Sequence, residues 1–140
     1  MSGRRFFDTN IFVYSFDGTA PAKRGRAETL IFDALTDGRG VVSFQVVQEF
    51  FSVAFRKFAK PLTVSQSQRL LSEVFRPMLR VHSSEGLYAE ALEIFGHFRL
   101  SWHDSLIVAS AAQAGCSTLY TEDLGHGQQF GSVRIQNPFV

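Results

Sequence analysis

A single cysteine, Cys116, stands in a chain of 140 residues, which excludes an intramolecular disulfide, a zinc cluster built on thiolates and a Cys-rich redox motif. The four histidines, His82, His97, His103 and His126, show no H-x-x-x-H spacing, so an imidazole-based zinc site has no support either. Long apolar runs are missing. No segment reaches the length of a membrane span, and the opening MSGRRFFDTN has no apolar stretch of the kind a signal peptide needs. Net charge is also scarce: +1 is too mild to mark a nucleic-acid binder from overall electrostatics. Repeats, low-complexity tracts and linkers are absent as well. These absences predict a soluble, cytoplasmic protein without a membrane partner, built as one domain over residues 1–140.

What is present is apolar and regular. Hydrophobic residues make up 45% of the chain and charged residues 19%, with 15 phenylalanines, a composition that buries a core and leaves some rings available for contacts between chains. Arg4 to Phe7 predicts a short strand, followed by a helix from Ile11 to about Phe16 with Asn10 as its N-cap. Helical spacing of apolar residues spans Arg24 to Thr36 and stops at Asp37-Gly38. Gly40 to Ser43 predicts a buried parallel strand. The helix it feeds, Phe44 to Phe58, is apolar around most of its circumference, leaving Gln45, Glu49, Ser52 and Arg56 as a narrow polar strip. A helix packed on more than one side turns such a strip to a cleft. Further helices are predicted over Val64 to Phe75, Glu85 to Phe98 and Asp104 to Ala114, and strands over Leu79 to His82, Ser117 to Tyr120 and Val133 to Gln136. Strands alternating with helices imply a parallel sheet covered on both faces, with ligands bound beyond the carboxyl ends of its strands.

Four acids fall at or near that edge: Asp8 after the first strand, Glu49 in the polar strip, Asp104 at a helix start and Asp123 after a late strand. Each has an ordinary alternative. Asp8 suits an Asx turn, Asp104 a capping box with Ser101, Glu49 a solvated pair with Arg56, and Asp123 a turn before Gly125. Gathered together, they form an all-oxygen site for a hard dication, Mg²⁺ or Mn²⁺, as one or two ions. Thr9, Asn10, Ser43 and Thr121 are the polar candidates for supporting hydrogen bonds. Glu122 is a fifth acid, but neighbours on an extended segment point opposite ways, which favours Asp123 as the ligand. Basic groups including Lys23, Arg24 and Arg56, with Lys57 and Lys60 close by, are candidates for holding the phosphates of a single strand.

The segments FFDTNIFVYSFD, SFQVVQEFFSV and SWHDSLIVASAAQAGCSTLYTEDLGHGQ, in this order, resemble those of the PIN domain family, especially the VapC ribonuclease toxins of VapBC toxin–antitoxin pairs. The resemblance implies a three-layer α/β/α sandwich with a central parallel sheet. It also implies Mg²⁺- or Mn²⁺-dependent cleavage of single-stranded RNA to 5′-phosphate and 3′-hydroxyl ends, a homodimer, and inhibition by a small cognate antitoxin. It carries the family's acids onto Asp8, Glu49, Asp104 and Asp123, with Asn10 and Thr121 beside them. The stretch Leu124-Gly125-His126-Gly127 matches one subgroup only, which leaves substrate preference open. Two other readings compete: a PIN-like module that grips RNA or a protein without cutting, and an aspartyl phosphatase using Asp8. The second lacks the Asp usual two residues later, where this chain has Asn10.

Overall fold

The computed structural model describes residues 3–140; Met1 and Ser2, which the one-domain expectation includes, lie outside the described residues. Strand β1 (Arg4–Phe7) leads into α1 (Thr9–Tyr14) and α2 (Pro21–Asp37), then β2 (Gly40–Ser43) into α3 (Phe44–Arg56). There follow α4 (Val64–Leu70), a π-helical turn over Leu71–Phe75, the short α5 (Arg76–Met78) and β3 (Leu79–Val81). Helices α6 (Glu85–His97) and α7 (Trp102–Gln113), β4 (Cys116–Tyr120), β5 (Gln129–Phe130) and β6 (Val133–Gln136) complete the fold.

The strands form one sheet in the order β3-β2-β1-β4-β6-β5. All neighbours are parallel except the last pair, in which β5 runs antiparallel to β6. The sheet is therefore mixed, mostly parallel, and flanked by helices as the alternating pattern requires. The chain steps outward from β1 to β2 and β3, then returns to add β4 on the other side. That reversal opens a crevice beyond the carboxyl ends of β1 and β4, where open α/β sheets bind ligands.

Apolar runs make these strands because both faces are covered. Phe6, Phe7, Val41, Val42 and Leu119 are fully buried. Gly40 lets β2 approach its neighbours closely: a Cβ there would lie 2.7 Å from both the Ala34 side chain and the Met78 methyl. At the end of α2 the left-handed Gly38, with φ 70°, supplies the helix stop that Asp37-Gly38 predicts. The phenylalanines fill the interior as an edge-and-tilt cluster. Phe75 packs 5.0 Å from Phe12, 5.3 Å from Phe50 and 5.6 Å from Phe51 between ring centroids. Cys116 is buried, which pushes its thiol up to about 12 and leaves it unreactive.

Three local expectations change. Helix α1 begins at Thr9 and is capped by Asp8, whose side chain accepts from the Thr9 N–H, so Asn10 lies inside the helix with its side chain free for another role. The helix expected over Val64 to Phe75 widens into the π turn at Leu71. Pro77 has no N–H to return to the Glu73 carbonyl, so the regular ladder cannot continue through this segment. Strand β5, two residues long, has too short a pattern to be read in advance. No helix among the described residues is long and apolar enough to cross a membrane.

Candidate active site

The crevice is an open cleft of about 570 Å³ whose walls include Asp8, Glu49, Asp104 and Asp123. Each acid arrives from a different element. Asp8 leaves β1 beside β4, where its backbone N–H continues the ladder to the Tyr120 carbonyl at 3.0 Å. Glu49 projects from the middle of α3, Asp104 from the first turn of α7, and Asp123 from the loop after β4. Ser101 caps α7 by accepting from the Asp104 N–H at 3.1 Å. The Asp104 carboxylate makes no reciprocal bond back to the cap, nor any ion pair among the described residues, so its charge faces the cleft.

Neutral donors hold the other carboxylates. Asp8 accepts from the Thr9 N–H at 2.7 Å and the Thr121 hydroxyl at 2.7 Å. Thr121 in turn accepts from the Asp123 N–H at 3.1 Å, tying the two acids together through one hydroxyl. Thr9 donates its hydroxyl to Glu49 at 2.9 Å, and Asn10 donates its amide to Asp123 at 3.2 Å. Ser43 is brought to no carboxylate; it caps α3 at the Val46 N–H. Gln45, passed over in the sequence as a candidate, donates to Glu49 at 3.4 Å and to the His103 carbonyl at 3.3 Å, bridging α3 to α7.

None of the four acids is ion-paired to lysine or arginine among the described residues. Their mutual field is therefore uncompensated. Burial raises the Asp8 carboxyl to about 7, opposed by its bonds to Thr121 and Thr9 and reinforced by Asp123 and Glu49. Asp123 is raised as well, by partial burial first and then by Asp104.

The donor set suits a hard dication. All four carboxylates supply oxygen, and two amide oxygens on the same walls, Asn10 Oδ1 and Gln45 Oε1, are buried without a hydrogen-bond partner among the described residues. As they stand, however, no three His, Cys, Asp or Glu side chains among the described residues form a ready metal-binding group. The carboxylates line the walls and do not meet at one point, so a metal ion would be reached through water or by rotation of the side chains.

Glu122 points away from the cleft, as expected, although the chain bends here and does not stay extended; Tyr14 and Lys23 hold it aside. Its carboxylate accepts from Lys23 at 2.6 Å and from the Tyr14 hydroxyl at 2.7 Å. Burial alone would raise this carboxyl, but the Lys23 and Tyr14 bonds outweigh it and hold it below its usual value. In a Tyr14→Phe, Lys23→Met double variant that balance reverses, and NMR titration should find Glu122 protonating above its ordinary 4.5. An unchanged titration would show that the Lys23 and Tyr14 bonds do not set the Glu122 pKa.

The basic candidates fall elsewhere. Lys23 is engaged by Glu122, and Arg24 lines a separate apolar hollow beside Glu28. Arg56 folds back onto Ser52, donating to its carbonyl at 3.3 Å and its hydroxyl at 3.0 Å. The basic residue on the cleft wall is Lys57. Along α3 the cleft follows Gln45, Glu49, Val53 and Lys57, an i, i+4 ridge, and leaves Ser52 and Arg56 off its wall. That spacing was the available signal. His103 also lines the cleft, whereas His126 accepts from the Asn137 N–H at 3.0 Å and braces a turn.

A family model described as PIN domain matches residues 5–128. Comparison with curated proteins gives no match. Among solved structures, a toxin–antitoxin complex from Klebsiella pneumoniae is similar with a TM-score of 0.67 and 20% identity over 92% of this chain and 94% of that one. VapC20 of Mycobacterium tuberculosis, described as a sarcin–ricin loop cleaving toxin, has a TM-score of 0.62 and 18% identity over 85% and 89% of the respective chains. VapBC2 from Rickettsia felis, bound to a DNA fragment from its promoter, has a TM-score of 0.66 and 16% identity over 94% and 96%.

Proposed function

The chain belongs to the PIN domain family, and from that premise we propose that it is a Mg²⁺- or Mn²⁺-dependent endoribonuclease of single-stranded RNA, acting as the toxin of a toxin–antitoxin pair. The observation that carries this reading is the gathering of Asp8, Glu49, Asp104 and Asp123 on one open cleft with no arginine or lysine ion-paired to any of them among the described residues. These four carboxylates would hold one or two ions, directly or through water. A bound dication supplies positive charge that polarises a phosphoryl oxygen and makes a water acidic enough to attack.

The chain's own residues set the stage for that attack. Thr121 and the Thr9 N–H hold Asp8, Asn10 orients Asp123, and Thr9 with Gln45 orients Glu49. Such supporting bonds fix carboxylates that would otherwise swing apart under their mutual repulsion. With its pKa near 7, Asp8 exchanges a proton close to neutrality, so protons compete with the ion for this side chain and activity falls as pH drops below that value. The products carry 5′-phosphate and 3′-hydroxyl ends, and no covalent protein intermediate is needed. A small cognate antitoxin and a homodimer are part of the same reading. Support comes from the likeness to toxin–antitoxin complexes and to a toxin described as cleaving the sarcin–ricin loop.

A fluorophore-labelled single-stranded RNA should be cut when Mg²⁺ or Mn²⁺ is present, left whole in EDTA, and cut again on restoring the metal. Cleavage undiminished by EDTA would refute the proposal. A second reading, a PIN-like module that binds RNA or protein without cutting, draws on the carboxylates standing apart on the walls. Calorimetric titration with Mn²⁺ separates the two, since the module predicts no metal binding.

A further inference from the structure

We propose that the hollow adjoining the acidic cleft, bordered by Phe16, Lys57, Phe58 and Lys60, holds one nucleotide of single-stranded RNA beside the bond that is cut, with its phosphate on the two lysines and its base against the two rings. The inference rests on the nuclease reading above and deepens it.

The hollow measures about 680 Å³, within the range of ligand pockets. Val13, Asp17, Val53 and Lys57 line both the hollow and the cleft, so the two form one continuous trough. Charge changes along it. The cleft end carries the four acids, Lys57 stands on the wall shared by the two, and Lys60 lies in the hollow beyond; both lysines are exposed and neither has an ion pair or side-chain hydrogen bond among the described residues. Asp17 is the acid at the junction. Its Oδ1 accepts the Thr19 N–H at 3.0 Å and the Thr19 hydroxyl at 2.6 Å, bonds that hold the carboxylate in place and keep it ionised, so the hollow sets two lysines against one acid. A polyanion lying in the trough is repelled by bare carboxylates and gains its attraction at this end.

The rings supply the second half of the subsite. Phe16 is 43% exposed, and its ring lies 5.6 Å from that of Phe58 at a tilt of 37°. Both rings rest on the fully buried Phe50, at 5.8 and 6.1 Å. They are held from behind while their outer surfaces remain open, the arrangement on which unpaired bases stack without sequence preference. Lysines without acidic partners, an open aromatic surface and continuity with the reactive edge together favour a nucleotide over a protein side chain.

The test measures binding of a fluorescein-labelled single-stranded RNA by anisotropy in EDTA, across a salt series. Lys57→Gln with Lys60→Gln should weaken binding about tenfold and flatten the salt dependence by about 1.4 in log–log slope, the value for two lost contacts to a single strand. Phe16→Leu should weaken binding about fivefold with the slope unchanged, because it removes a stacking face and no charge. Both variants lie at exposed positions, and thermal melting checks that they fold. Parent-like affinity and slope in the lysine variant would overturn the subsite, as would a parent that binds no RNA. So would a lysine variant that keeps RNA binding but loses affinity for a poly-glutamate peptide, since the hollow would then be a protein-docking surface. Cleavage in Mn²⁺ is scored separately. A parent that binds RNA but never cuts it refutes the nuclease reading alone, and a parent that cuts while the lysine variant binds unchanged refutes the subsite alone.

Discussion

Asp104→Asn is expected to lower cleavage of single-stranded RNA by about a hundred- to a thousandfold, the scale on which losing one charged group at a reacting phosphate is felt. The same change should leave folding nearly untouched, within about 0.5 kcal/mol, as for surface substitutions that break no structural bond. The reason is that the fold uses the backbone of this residue and not its side chain. The Asp104 N–H bonds to the Ser101 hydroxyl, a bond that Asn retains, while the carboxylate has no hydrogen bond or ion pair among the described residues to lose. Ser101→Ala provides the opposite case: removal of this N-cap should cost about 1 kcal/mol of stability with a far smaller effect on cleavage. Measuring kcat/KM and thermal melting on both variants separates the two roles. Parent-like cleavage by Asp104→Asn would remove this residue from the reaction.

Asp8→Asn is expected to abolish cleavage and, in the absence of metal, to stabilise the protein at pH 8. Burial lifts the Asp8 pKa from 3.8 to about 7, so between these values the folded state binds a proton that the unfolded chain has already released. A group shifted in this direction favours folding most fully at low pH, and its contribution is lost as pH rises towards and through 7. The ionised, buried carboxylate then opposes folding on the order of 4 kcal/mol, and Asn avoids that cost. Asn Oδ1 still accepts the Thr9 N–H, and its amide donates to the Thr121 oxygen in place of the present Thr121 bond. Mn²⁺ narrows the gap: a ligand at one hundred times its Kd adds about 2.7 kcal/mol to the parent, and the gain should be greater at pH 8 than at pH 6 because protons no longer compete. Denaturant unfolding of both proteins in EDTA and in Mn²⁺ at the two pH values checks each sign. A variant less stable than the parent at pH 8 in EDTA would mean that the hydrogen bonds at Asp8, not its desolvation, dominate.

Much of the fold was legible locally. Strand β2 announces itself as an apolar run, and β1, β4 and β6 as short mixed segments bounded by turn residues, while the Ser101 cap and the Gly38 stop follow from backbone chemistry within a few residues. The start of α1 was displaced because Asp8 and Asn10 are both good N-caps in sequence, and only the ladder from Asp8 to β4 commits the first of them. The π turn escaped because apolar spacing over Val64 to Phe75 barely distinguishes a widened turn from a regular one. Strand β5 is formed by its pairing with β6 across Gly131, whose φ is 59°, and two residues carry no period of their own.

By itself, the amino-acid order determined which acids stand at element ends, that the strands must run mainly parallel, and that an intramolecular disulfide and a thiolate zinc cluster are excluded, because these depend on residue type and short-range periodicity. Tertiary structure decided which charges share a space. The return of the chain across β1 opens the crevice between β1 and β4, the i, i+4 ridge of α3 turns Lys57 and not Arg56 to its wall, and Glu122 removes Lys23 from it. Such neighbourhoods arise between residues distant in sequence, where long-range packing sets the geometry and local propensity carries no record of it.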